Sequence, residues 1–266
     1  MNRLKKIALN ALAAASILLT GCVSDMPSDI TLDELEQKMA RAMDPQGEYR
    51  KARAYFQRQN VTEEGLFSTK HQLVEVKFQR PDKFKFSFYE KNRVATEVLS
   101  IGNRAWMISY KDGTITPIRG IALEKIRIML AMGHPDTDYD KLFGKTELTL
   151  TELDDGTVCY KLVCYPSLEN SNPIIIYVDK ATMLPRRMEL TVKTVNGDIE
   201  TVSEITEYKQ FGKLNLPALT TTREGSREYS TRIVDYRLNT TFEPDEFKLP
   251  EFDPVLIESQ KRQRHR

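Results

Sequence analysis

Cys22 has the most specific surroundings of any reactive side chain in the sequence. It closes the stretch Leu19-Thr20-Gly21-Cys22, behind the basic start MNRLKK and the apolar run IALNALAAASILL. A thiol flanked by small residues in extended backbone can be alkylated, and becomes a new N-terminus if the chain is cut before it. The other candidates for chemistry carry less pattern. His71, His134 and His265 include no pair at metal-ligand spacing. No nucleophile elbow, phosphate-binding loop, zinc-protease helix or dinucleotide fingerprint occurs. The acids of LDDG and HPDTDYD lie in turn sequences, which favour Asp through its bonds to the local backbone, and they lack the spacing of a calcium loop. Cys159 and Cys164 are five positions apart. On one continuous strand they fall on opposite faces, roughly 16 Å apart, beyond disulfide reach. The expectation is a protein with no catalytic residue and no metal site, hence not an enzyme.

The elements around Cys22 explain its position. Arg3, Lys5 and Lys6 precede thirteen residues interrupted only by Asn10 and Ser16. That is shorter than the roughly 20 apolar residues a membrane-spanning helix needs, and it fits a secretory signal peptide. Residues 19 to 22 resemble the bacterial lipobox. The resemblance implies removal of residues 1–21 and a diacylglyceryl group with an N-acyl chain on Cys22; no other cofactor is expected. Each buried methylene of those chains contributes about 0.8 kcal/mol to anchoring. Val23, not Asp, follows the cysteine. By resemblance to the enteric sorting rule, that directs the chain to the periplasmic face of the outer membrane rather than the inner one. Residues 22–30 then form the lipidated N-terminus and a tether. Its last eight residues reach only about 25–29 Å when fully extended, so the body stands close to the bilayer.

Cleavage would remove three basic groups and no acid, leaving 36 Lys and Arg against 38 acids, a formal charge of about −2. A near balance gives no electrostatic reason for a nucleic-acid partner. The remaining chain can bury a sizeable core.

Beyond the tether, Thr31 and Glu34 make a capping box, and Leu32, Leu35, Met39 and Ala42 an apolar face, which predicts a helix over 32–43. The pattern then changes to period two. Val74, Val76 and Phe78 alternate with polar residues, Pro81-Asp82 turns the chain, and Phe84, Phe86 and Phe88 alternate again. Such alternation predicts antiparallel strands with one dry face. Further strands are expected over 49–59, 93–101, 104–110, 146–153, 157–165, 173–179, 185–195, 199–210, 215–223 and 227–238. GIALEKIRIMLAMG interrupts them and predicts an inserted helix near 121–132, serving either core packing or ligand binding. Ten to twelve strands with two helices give a mainly β (α+β) fold. Its form is a curved antiparallel sheet, an incomplete, half-open β-barrel, as a single domain over 31–253. Residues 254–266 are basic and aperiodic and read as a disordered tail.

Three segments carry a further resemblance. In QRPDKFKFSF, Arg80-Pro81 leads into Phe84 and Phe86; GNRAWMISYKDGTITPI and IIYVDKATMLPRRMEL follow as hairpins. Together they are similar to the LolA/LolB lipoprotein-carrier superfamily over most of residues 30–250. LolB-type members are themselves lipoproteins; LolA-type members are soluble shuttles. The resemblance implies helices closing a half-barrel around a hydrophobic cavity for acyl chains of a lipoprotein or phospholipid. Phe84, Phe86, Phe88, Trp106 and Ile108 are then expected to line it, with Ile126, Met129 and Leu130 as wall or lid and Arg80 at the rim. The same rows suit a filled barrel, a non-catalytic envelope scaffold that recruits a protein partner through its edges.

Overall fold

A computed structural model describes residues 25–65, 69–167, 171–194 and 197–252. Cys22, the expected signal peptide 1–21 and the expected tail 254–266 lie outside the described residues.

Fourteen strands form one antiparallel sheet among the described residues. In chain order they are β1 (Met26–Pro27), β2 (Ala54–Glu64), β3 (Thr69–Gln79), β4 (Lys83–Glu90), β5 (Arg93–Ile101), β6 (Arg104–Ser109) and β7 (Thr114–Ile118). Then follow β8 (Lys145–Glu152), β9 (Val158–Tyr165), β10 (Ile174–Asp179), β11 (Pro185–Thr194), β12 (Gly197–Phe211), β13 (Leu214–Glu224) and β14 (Arg227–Leu238). The spatial order is β1-β8-β9-β10-β11-β12-β13-β14-β2-β3-β4-β5-β6-β7, so two meanders are joined where β14 pairs with β2. The sheet is open, with β1 and β7 at its margins.

Among the described residues four helices accompany it: α1 (Leu32–Met43), α2 (Glu48–Lys51), α3 (Gly120–Met132) and α4 (Tyr139–Leu142). The capping box of α1 is present, with the Glu34 N–H donating to Thr31 Oγ1 at 3.3 Å and the Thr31 N–H donating to Glu34 at 2.9 Å. Helices α3 and α4 lie in the connection from β7 to β8, which belong to opposite sides of the open sheet.

Packing shows that the sheet curls. Ile128 of α3 shares a core cluster with Leu150, Leu162 and Ile176 of β8 to β10, whereas Leu130 packs on a cluster containing Val76, Phe78 and Phe84. Strands β9 and β3 are seven places apart in the sheet order. At about 4.8 Å per strand a flat sheet would separate them by roughly 34 Å. Two helix residues only about 3 Å apart along the axis reach both sides, so the sheet wraps around the helices.

The turns divide between two ends. The β3–β4, β5–β6, β8–β9, β10–β11 and β12–β13 turns share one end, where Asn215 Nδ2 donates to the Ala42 carbonyl and Lys213 pairs with Glu48. We call this the helix end. The β2–β3, β4–β5, β11–β12 and β13–β14 turns lie at the opposite, hairpin end.

Two expectations are corrected. The strand expected over 49–59 begins as helix α2 and becomes strand only at Ala54. The cause is local: Gly47 takes φ 65°, and the Asp44 carboxylate accepts the N–H groups of Glu48 and Tyr49 at 2.8 and 2.9 Å. The strand count also rises from ten to twelve to fourteen, because β1 and β7 have no dry face to give them a pattern.

Residues 25–30 are docked rather than free. Met26 and Pro27 pair with Leu150 and Thr149, Asp25 binds Lys161 at 2.7 Å, and Asp29 accepts from Lys180 at 2.7 Å and Tyr160 at 2.9 Å. On the outer face, residues 240–252 form a strap. Phe247 is buried with Leu99 and Ile108, and Glu246 binds Lys77 at 2.8 Å and Lys85 at 2.6 Å.

Candidate functional site

The inner face of β4 carries Phe84, Phe86 and Phe88 opposite Phe78, Val76 and Val74 of β3. Period-two geometry puts all six on one side. Phe84 is 4% exposed, while Phe86 and Phe88 toward the hairpin end are half-buried. Phe84 and Phe86 pack edge to face with ring centroids 4.4 Å apart, and Phe86 stacks on Phe88 at 6.3 Å. The row is an apolar wall that becomes more open along the strand.

Helix α3 lies against this wall through Leu130. It is rich in apolar residues yet buries only Ile128 fully. Ile126 and Leu130 are half-buried, whereas Ile121 is 56% and Met129 67% exposed. An apolar helix covers its surface when it sits in a core; α3 leaves one side uncovered.

Trp106 and Ile108 do not join the wall. Phe86 pairs with Val98, and Val98 with Met107, so Met107 is the inner residue of β6. Trp106 and Ile108 point to the outer face and pack with Leu99 and Phe247 beneath the strap. The sequence missed Met107, which is 47% exposed at this margin, because Trp106 and Ile108 make the more apolar face of WMIS, and only the register across three strands assigns the faces.

Arg80 sits at the helix end, not beside the open part of the wall. Its Nε donates to the Ala52 carbonyl at 2.9 Å and a terminal nitrogen to the Tyr49 carbonyl at 3.2 Å. The guanidinium lies over the Tyr49 and Phe78 rings at 5.3 and 5.8 Å. Its geometry ties the β3–β4 turn to α2.

Tyr49, Tyr55, Phe78 and His134 form an aromatic plug there, the His134 ring lying 5.2 Å from Tyr49 and 5.4 Å from Phe78. Burial pushes the His134 pKa down to about 4, against a smaller upward pull from Asp136. Toward the hairpin end the inner face becomes polar. There Ser203 and Thr222 share a bond of 3.0 Å; lower down, level with Phe86 and Phe88, Gln57 donates to Gln59 at 2.8 Å.

Neither strand cysteine is set up as a nucleophile. Cys164 faces inward and Cys159 outward on β9; both are free and buried, and burial raises their pKa values to about 12 and 11. A thiol held protonated is a poor nucleophile. Among the described residues no group of three or more His, Cys, Asp or Glu is placed to hold a metal ion. Among them, too, no helix is long and apolar enough to cross a membrane. What the arrangement offers is a graded surface: aromatic beside the helices, polar at the hairpin end, with an incompletely packed helix between.

No family model and no curated protein matches the chain. Solved structures do resemble it. A protein domain assigned to outer membrane lipoprotein sorting, from Vibrio parahaemolyticus, superposes with a TM-score of 0.58 at 14% identity, covering 81% of this chain and 95% of its own. A LolA superfamily protein from Nitrosomonas europaea gives a TM-score of 0.57 at 12% identity, covering 83% and 98%. At such identity the likeness concerns architecture, and it shows that this chain has the fold of the LolA superfamily.

Proposed function

We propose that the chain is an envelope lipoprotein, anchored through Cys22 at the periplasmic face of the outer membrane, that holds acyl chains of a lipoprotein or phospholipid against the Phe84–Phe86–Phe88 wall. The observation that carries this reading is the mismatch between α3 and its cover: an apolar helix, fully burying one residue, lies over an aromatic row that is itself half open. Lifting α3 would extend the row into a groove. Each methylene laid there contributes about 0.8 kcal/mol, so a dozen offer on the order of 10 kcal/mol before the costs of ordering. The Ser203 and Thr222 side chains toward the hairpin end suit a polar headgroup left at the mouth. In this reading Leu130 and Ile126 belong to the lid's inner side and Met129 to its outer side. Trp106, Ile108 and Arg80 support the frame.

A second reading, a filled barrel acting as an envelope scaffold, is favoured by the direct packing of Phe84 on Phe86. Native mass spectrometry with a palmitoyl phospholipid separates the two. The carrier reading expects a stoichiometric complex that Phe86→Glu abolishes while circular dichroism shows an unchanged fold. A bare protein mass at saturating lipid would leave the scaffold.

A further inference from the structure

The docked segment before α1 fixes more than the body's distance from a membrane. Strand β1 runs antiparallel to β8, with Met26 opposite Leu150 and Pro27 opposite Thr149. Followed backwards from Pro27 to Asp25, the chain therefore heads along β8 toward Glu152 and the helix end. Two ion pairs hold it there, Asp25 to Lys161 and Asp29 to Lys180, each at 2.7 Å. Tyr160 adds a hydrogen bond to Asp29 at 2.9 Å. Lys161 alternates with the inward residues Tyr160 and Leu162, so Asp25 is held on the outer face of the margin.

Three peptide units separate Asp25 from Cys22, and at 3.8 Å each they reach at most about 11 Å. The opposite end is farther away. From Leu150 to the start of β8 at Lys145 is about 17 Å, and the β11–β12 hairpin extends about 30 Å from Pro185. With its Cα within about 11 Å of Asp25 and its sulfur within about 14 Å, Cys22 cannot reach the hairpin tips.

We infer that the lipid surface holding the Cys22 acyl chains docks against the helix end of the β1–β8–β9 margin, so that the hairpin end opens away from it. The inference rests on the reading that Cys22 is acylated. It adds a direction: the polar mouth of the aromatic wall faces cargo arriving from the aqueous side, not the anchoring leaflet.

The test uses the full-length protein, acylated in its host and reconstituted into phosphatidylethanolamine–phosphatidylglycerol vesicles carrying a nitroxide-labelled headgroup lipid. A bimane fluorophore is placed at Asp154→Cys in the β8–β9 turn or at Ser226→Cys in the β13–β14 turn, both exposed turn positions. Quenching several-fold stronger at position 154 than at 226 is the expected result. Equal quenching, or the reverse order, in protein whose mass shows the lipid on Cys22 would overturn the orientation while leaving acylation standing. Absence of that lipid mass would overturn the acylation reading and the orientation with it. In Asp25→Ala combined with Asp29→Ala the contrast should shrink; an undiminished contrast would remove the clamp as its cause.

Discussion

Ile128 is the place to test whether α3 moves as a lid. It is the residue that α3 buries, at 9% exposed, within the cluster that includes Leu162 and Ile176. Ile128→Ala deletes three carbon atoms from this contact, and truncations of that kind cost about 2–5 kcal/mol. Because the neighbouring helix residues are partly solvated and can relax, the low end, about 2–3 kcal/mol, applies. If α3 opens separately from the sheet, the loss falls on that local equilibrium and raises its open population roughly 30- to 150-fold. Hydrogen exchange resolved by peptide is the assay. Amides of 120–132 should exchange faster by that factor, while those of β9 and β10 keep their protection and the melting temperature changes little. Acyl-chain uptake should accelerate in parallel. Met129→Ala, on the exposed side, should change exchange by less than a factor of about 3. If Ile128→Ala lowers protection of helix and sheet together, α3 is part of the global core and the lid argument fails.

Three other outcomes follow from groups away from the wall. Glu246 is pushed upward by burial, but hydrogen bonds from Lys77 and Lys85 more than offset this and hold its carboxyl below the usual range. A depressed carboxylate stabilises the fold above its unfolded pKa and loses that contribution as pH falls through the folded value. The strap should therefore loosen below about pH 4.5, read as a change in fluorescence of Trp106, the single tryptophan; Glu246→Gln should show the same emission at neutral pH. His134, with its pKa lowered to about 4 by burial, binds protons more readily in the unfolded chain. Stability should thus fall between about pH 6.5 and 4 by up to about 3 kcal/mol, and His134→Phe should flatten that part of a pH series of urea melts. Arg80→Lys keeps the charge but loses the planar stack and the fork of bonds to two carbonyls; a cost of about 1–2 kcal/mol in thermal unfolding is expected, with acyl-chain binding unchanged.

Much of the frame was legible because period two is a local signal. Val74, Val76 and Phe78, the Pro81 turn and the Phe84 row announce a hairpin with one dry face, and the structure has it. The helices 32–43 and 121–132 were legible for the same reason, one through its capping box and the other through its apolar density. Other features depend on distant partners. Nothing near Trp106 tells which face of WMIS is inner; the answer lies in the register linking Phe86, Val98 and Met107. Strand β1 exists because β8 offers it an edge and Lys161 and Lys180 offer it charges. Helix α2 replaces the first turns of an expected strand because one carboxylate, Asp44, captures two amides. The strap has no periodicity at all, and its lysine partners are more than a hundred residues away in sequence.

The seam between β14 and β2 has a consequence for how the protein is made. It pairs Phe56 with Arg237 and Glu64 with Glu228, so the two meanders can each form by local hairpins, but their union needs the last strand. A chain delivered from its N-terminus holds β2 with one unsatisfied row of amides and carbonyls until residues 227–238 have emerged. Non-local pairings of this kind are slow, and an unpaired edge invites the wrong partner in the interval. The waiting half, β2 to β7, is therefore the aggregation-prone species, and the segment on which a holding chaperone would act during that delay.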